Sequence, residues 1–393
     1  MTRRILTLNA GSSSLKFSLF ELDLGDGDGE LLHGQVEGLG EKPHLIAQSA
    51  AGATLADRVF DDHDLHDHHA ALGPILDLVE AQLPHRPVAA VGHRVVHGGP
   101  DFAEPVVVDD KVLAALRALE PLAPLHQPHN LAGIIAARIA FPDAVQVACF
   151  DTAFHRAHPW VDDTFALPRA LWDEGIRRYG FHGLSYEYVS GELGRIAPGH
   201  AAGRVVIAHL GNGASMCALQ GGQSVSSTMG FTALDGLPMG TRCGQLDPGV
   251  VLYLMQVRGM TAGQISDLLY KQSGLKGLSG LSHDMRALEQ AATPQALQAI
   301  EYFVFRIRRE LGAMAATLAG LDALVFCGGI GEHAWQIRER VCLGFDWLGI
   351  ELDEGRNRAG GTVISSDRSR VRIFVVPTNE ELMIARHARH MLG

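Results

Sequence analysis

The chain opens on two short apolar runs separated by small polar residues. Ile5, Leu6 and Leu8 lead into Asn9-Ala10-Gly11-Ser12-Ser13-Ser14, and Leu15, Phe17 and Leu19 then alternate with Lys16 and Ser18. A period of two predicts strand, turn, strand. Residues 21–60 predict further short strands, with alternation over 31–37 and 44–48 and a loose glycine-rich loop at 25–29. An amphipathic helix is expected over 70–83, a short buried strand over 88–91 leading into a loop at 92–99, and a helix over 109–119. A Pro- and His-rich loop at 122–130 precedes a helix over 131–140, and a strand over 145–150 ends at Asp151. The opening theme then recurs: 204–219 is again strand, Gly-containing polar turn, strand. At an offset of 200 residues Arg4 matches Arg204, Asn9 matches His209 and Gly11 matches Gly211. Helices are expected over 250–258, 261–270 and 295–319, the last with core-facing spacing at Ile300, Phe303, Val304, Ile307 and Leu311. Residues 324–332 leave a strand through Gly-Gly-Ile-Gly and enter a helix over 334–342. A strand at 373–376 is followed by Thr378-Asn379-Glu380-Glu381, which fits a capping box with Thr378 at the cap.

The first turn carries chemistry. Gly11 lets backbone approach a ligand closely. Asn9, Ser12, Ser13 and Ser14 offer neutral donors and Lys16 a fixed charge, a set that suits phosphate oxygens. The return segment is a strand, so this is not a Walker loop, whose Lys-Ser/Thr opens a helix. An ordinary hairpin with a polar turn is the other reading of this stretch alone. Two such hairpins, each opening a half of the chain, point to duplicated α/β domains of an actin-like, sugar-kinase-like fold.

Bulk properties narrow the class. A length of 393 residues suggests two domains, and 47% apolar with 20% charged residues is a globular composition. The net charge of -11 argues against a general nucleic-acid or anionic-membrane binder while allowing a local basic pocket. Five scattered cysteines without Cys-x-x-Cys indicate neither a disulfide framework nor a zinc ribbon and fit a reducing cytosol. The N-terminus lacks a secretory pattern, and no run of about 18 apolar residues predicts a membrane span.

Several further residues have two readings. The Asp- and His-rich run 61–69 holds metal-ligand types, but it lies on one local segment and reads better as an acidic helix start. Arg94 sits among apolar neighbours, where a guanidinium usually has an anionic partner; otherwise it is a surface ion-pair residue. Asp151 at a strand's carboxyl end is placed for metal binding or catalysis, or is a turn residue. His182 between glycines is a reactive candidate or a satisfied core histidine. Arg242 lies in a loop of small residues, and Glu380 is at least a favourable first-turn acid. Backbone N–H groups around 328–332 suit a nucleotide.

These residues together resemble the acetate kinase family of the acetate and sugar kinase/heat-shock 70/actin superfamily. The matching motifs run in family order along nearly the whole chain: 9–17, 93–99, 123–126, 150–155, 179–183, 209–215, 239–244, 328–332 and 378–381. The resemblance implies two duplicated actin-like, ribonuclease H-like domains, 1–151 with the C-terminal helix 379–393 and 152–378, with an active-site cleft between them. It implies reversible, direct in-line transfer of the ATP γ-phosphoryl to a short carboxylate, with Mg2+, or Mn2+ in its place. Carried over by residue, Arg94 would hold the carboxylate, Arg242 the transferring phosphoryl, and His182 would hydrogen-bond that phosphoryl. Asn9, Ser12, Ser14 and Lys16 would line the phosphate channel, and Asp151, Glu380 and Asn9 would position the metal. His209, Gly211, Asn212 and Gly213 would touch the β/γ-phosphates, while Asp284, Arg286, Gly329, Ile330, Gly331 and His333 would hold the adenosine. His126 would support the site. Val96, Leu125, Phe181 and the 231–238 loop would line the acyl pocket, and Val96 favours acetate over propionate. A cytoplasmic homodimer is also implied.

Four positions depart from the family pattern. Ala233 replaces a usual proline and would widen the acyl pocket. Gln127 replaces Asn, Gln245 replaces an acid and leaves the Arg242 loop more positive, and His333 replaces Asn next to the adenine. Gly-Gly-Ile-Gly still favours ATP over pyrophosphate. A propionate or butyrate kinase of the same fold is the competing enzyme. A non-kinase ATP-binding chaperone or filament protein would need a peptide-binding module or polymer contacts, and the kinase-like core takes up nearly all of this chain.

Overall fold

The computed structural model describes residues 3–11, 14–22, 29–39, 42–61, 64–82, 87–124 and 126–393. The chain divides into two compact units, Met1–Phe154 with Asn379–Gly393, and His155–Thr378.

The first unit is built on eight strands: β1 (Arg3–Ala10), β2 (Ser14–Leu22), β3 (Glu30–Glu37), β4 (His44–Ser49), β5 (Thr54–Val59), β6 (Val88–Val95), β7 (Val106–Val107) and β8 (Val145–Phe150), in the order β5-β4-β3-β2-β1-β6-β8-β7. The second holds β9 (Arg204–Leu210), β10 (Ala214–Gln220), β11 (Gln223–Ser227), β12 (Ala323–Cys327) and β13 (Arg372–Val375), in the order β11-β10-β9-β12-β13. The stretch β3-β2-β1-β6-β8 repeats this order strand for strand. In each, the hairpin strands pair antiparallel and the next two join parallel. The repeat expected from 204–219 is therefore a repeat of topology.

Alternation explains the hairpin. Asn9 pairs with Lys16 and Ala10 with Leu15, and Leu6, Leu8, Leu15 and Phe17 are buried with Ala71, Leu72 and Ile75 of the helix His68–Gln82. A second cluster joins Val95, Ala148 and Phe150 to Leu113, Leu116, Leu131 and Ile134. In the second unit the helix Pro294–Thr317, capped by Thr293, buries the five apolar residues its spacing predicts.

Local boundaries differ from the sequence expectation in four places. Strand β6 runs on to Val95, so Arg94 lies in a parallel ladder opposite Cys149 rather than in a loop. Its polar neighbour His93 is a core residue, donating from Nε2 to Gln146 Oε1 at 2.8 Å, and burial lowers its pKa to about 4. The helix expected over 131–140 begins at Gln127, because Pro128 is tolerated in a first turn that needs no N–H from it. Gly-Gly-Ile-Gly is itself helical within Gly328–His333, before the helix Trp335–Cys342. The last helix, Glu380–Met391, is capped by Asn379, whose Oδ1 accepts from Leu382 N at 2.9 Å. Thr378 instead hydrogen-bonds Ser185 Oγ at 2.7 Å. Among the described residues no helix is long and apolar enough to cross a membrane.

Gly92 on β6 lies against the last helix: a Cβ there would stand 2.5 Å from Ile384 Cγ2. Gly92→Val is expected to cost about 1–3 kcal/mol through overpacking. Urea unfolding measures it, and unchanged stability would show that the helix does not bear on Gly92.

Candidate active site

In the first unit, parallel pairing brings the carboxyl ends of β1, β6 and β8 side by side, and with them Asn9, Arg94 and Asp151. Arg94 grips the buried Asp151 carboxylate in a fork, Nε to Oδ1 at 3.0 Å and Nη2 to Oδ2 at 2.6 Å. Its Nη1 donates to Asn9 Oδ1 at 3.2 Å. Glu380, in the first turn of the last helix, approaches Arg94 Nε at 3.8 Å. Burial alone would lower the Arg94 guanidinium, but Asp151 and Glu380 outweigh it and raise its pKa. Burial pushes the Glu380 carboxyl up to about 7; Arg94 opposes this, while Asp151 and Glu381 add to it. Once Glu380 has lost its proton, three carboxylates face one guanidinium and the Lys16 ammonium, which leaves surplus negative charge.

Asn130 ties this region together, its Oδ1 accepting from Val96 N at 3.0 Å and its Nδ2 donating to Ala10 O at 2.9 Å. His68 Nε2 donates to Gly11 O at 2.8 Å. Gln127 is fully buried and donates to His97 O, so this departure from the family pattern does structural work. Ser12 and Leu125 lie outside the described residues, as do Asp62 and His63 of the acidic run. Among the described residues no group of three or more His, Cys, Asp or Glu is arranged to hold a metal ion.

In the second unit, His182 and His209 stack with centroids 4.4 Å apart and planes 21° apart. His182 takes a left-handed backbone, φ 58°, directly before the helix Gly183–Ile196. Phe181 is buried, its carbonyl accepting from His155 Nε2 at 3.0 Å. Arg242 Nη1 donates to Ala233 O at 3.1 Å, so the loop carrying the unusual alanine is held by the guanidinium. Gln245 turns its amide oxygen to Arg306 and Arg309.

A cavity of about 630 Å³ lies over the Gly211 turn and the Gly328–His333 helix. Of the predicted nucleotide residues, Gly211, Asn212, Asp284, Arg286, Gly329, Ile330 and His333 line it. Gly331 is buried within its helix, and Gly213 packs by His182. Gly328 needs its φ of +75°, since a Cβ would meet Leu210 O at 2.8 Å. Glu332 fixes the turn, accepting from Gly328 N at 2.8 Å and Thr378 N at 3.1 Å. Asp284 caps the helix Met285–Ala291 and pairs with Arg286 at 3.1 Å, which holds its carboxyl below the usual range. His283, Glu289, Trp335 and Gln336 also line the cavity and were not expected. Their signal was positional: Glu289 follows Arg286 by one helical turn, and Trp335 opens the helix that follows Gly328–His333.

The doubled five-stranded sheet, with polar turns at matching places and a cavity of nucleotide size, defines an actin-like ATPase fold. The comparisons agree. The chain belongs to the acetokinase family, whose model matches residues 4–386. A curated acetate kinase of Methylocella silvestris is 61% identical over 398 residues, covering 100% of this chain and 98% of that protein. The crystal structure of Porphyromonas gingivalis acetate kinase superposes with a TM-score of 0.90 at 38% identity, covering 100% of both chains. A Francisella tularensis propionate kinase structure gives 0.92 at 36%, covering 99% of both chains.

A carboxyl raised on folding keeps a proton that the unfolded chain releases, so its contribution to stability is lost as pH rises from 4.5 to about 7. Glu380→Gln is expected to flatten this decline in urea unfolding measured across the window. An unchanged slope would contradict the Glu380 assignment.

Proposed function

We propose that this chain is an acetate kinase, transferring the ATP γ-phosphoryl reversibly to acetate to give acetyl phosphate and ADP. The Arg94–Asp151–Glu380 cluster carries the reading. An ionised carboxylate needs no strong base to attack phosphorus. It needs its charge and that of the phosphoryl group neutralised, which a fixed guanidinium among oxygen donors supports.

Arg94, anchored by Asp151 and Asn9, holds the acceptor carboxylate. Arg242 holds the transferring phosphoryl, and His182 donates to it as charge spreads over its oxygens. Asn9, Ser14 and Lys16 line the phosphate path. His209, Gly211, Asn212 and Gly213 take the β- and γ-phosphates, and the 630 Å³ cavity takes the adenosine. Asp151, Glu380 and Asn9 offer only oxygen, in surplus negative charge, which fits Mg2+ or Mn2+. A divalent ion held by these residues would supply positive charge to offset that of the phosphates. Glu380 must give up its proton for that ion, so metal affinity rises with pH toward 7.

Val96 and Phe181, each buried in its own unit, are apolar, which suits a short acyl group, and the bulk of Val96 favours acetate. Ala233 in place of proline is the observation that favours propionate. The helix Pro248–Gln256 buries no residue while Leu252, Tyr253 and Met255 are about half exposed, which supports a homodimer.

Hydroxylamine trapping with ATP, Mg2+ and each acid in turn tests the reading. Acetate is expected to give the fastest acyl-phosphate formation; much faster turnover of propionate would make this a propionate kinase. Arg94→Ala and Arg242→Ala are each expected to lose about 99% or more of kcat while staying folded, as loss of an oxyanion donor does. Near-normal turnover would refute the role assigned to the residue changed.

A further inference from the structure

The His182 ring is held from behind by two buried hydroxyls. Its Nδ1 lies 2.8 Å from Ser215 Oγ, and Ser215 Oγ lies 2.5 Å from the Tyr186 hydroxyl. Ser215 and Tyr186 are fully buried. Ser215 sits on β10, paired with His209 on β9, and Tyr186 is on the helix that starts one residue after His182.

The protons can be placed. Among the described residues Ser215 is the one hydrogen-bond partner of the Tyr186 hydroxyl, so the phenol donates there. Burial pushes that phenol well above its ordinary pKa, so it keeps its proton. Ser215 then has its own proton to give, and His182 Nδ1 is the acceptor. That leaves the ring proton on Nε2, the nitrogen that faces the phosphate-side turn: a Cβ on Gly213 would stand 3.1 Å from it. The neighbouring ring is fixed in the same manner, His209 Nδ1 lying 2.8 Å from Ser185 Oγ.

We propose that Ser215 and Tyr186 are positioning residues that orient the His182 ring with a proton on Nε2, that donor aimed at the transferring phosphoryl group. The proposal rests on the kinase reading for what that donor does, but not for the tautomer itself.

Nitrogen-15 NMR of His182 in the full chain reads the tautomer directly. Wild type is expected to show the Nε2–H form and Ser215→Ala a mixture. Ser215→Ala is expected to lower kcat by about tenfold to a hundredfold, with KM for ATP and acetate within about twofold. Ser215→Thr, which restores the hydroxyl, is expected to recover the tautomer and most of kcat. Tyr186→Phe makes the same test should Ser215→Ala fail to fold, since it removes the first donor of the chain. A wild-type tautomer and kcat in Ser215→Ala or Tyr186→Phe would overturn the proposal. If His182→Gln keeps full kcat while Ser215→Ala shifts the tautomer, the catalytic reading of His182 falls and the positioning stands.

Discussion

The fork between Arg94 and Asp151 is the contact on which the first unit's chemistry depends. Both partners are drawn out of water, Asp151 almost completely. Removing one partner of such a pair strands the other charge, which costs about 3–5 kcal/mol. The pair is therefore a fixed feature of the fold. It fixes the ends of β6 and β8 to each other and draws in Asn9 from β1, beside Glu380, whose proton is kept toward neutral pH by burial against the pull of Arg94. An arginine so held has little freedom left to lose when it meets an anion, which is the advantage of preorganisation.

The same strand order produces a different result in the second unit. There the end of β9 supplies His209 and the Gly211–Gly213 turn, and the end of β12 supplies a helix that begins on glycine. Neutral donors and backbone N–H groups replace the ion pair, next to a cavity large enough for a nucleoside. Duplication of a sheet thus gave two scaffolds with matching turn positions. One became charged and the other polar and concave.

Much of this was legible in the chain. The period of two around Gly11 and Gly211 marked both hairpins, and the apolar setting of Arg94 implied the anionic partner that Asp151 provides. The misread boundaries share a cause: tertiary burial overrode a local polar signal. Gly92-His93-Arg94 looked like a loop because its polarity hides a core histidine and a buried ion pair. Pro128 looked like a breaker, although the first helical turn accepts it. Thr378 fits the capping box, but its hydroxyl goes to Ser185 and Asn379 takes the cap. Ser215 and Tyr186 gave no signal, since a serine within a strand and a tyrosine within a helix are ordinary until the fold puts them behind His182. The role of Asn130 was invisible for the same reason, its partners being backbone groups distant in sequence, as was the bond from Thr378 N to Glu332.

An acetate kinase moves one phosphoryl group between a nucleotide and a carboxylate. Phosphorus-31 NMR of the protein with ADP, Mg2+ and acetyl phosphate observes that movement in the reverse direction. The acetyl phosphate resonance is expected to fall as the three resonances of ATP grow in step with it. Loss of acetyl phosphate to inorganic phosphate alone, with ADP bound but unchanged, would contradict it.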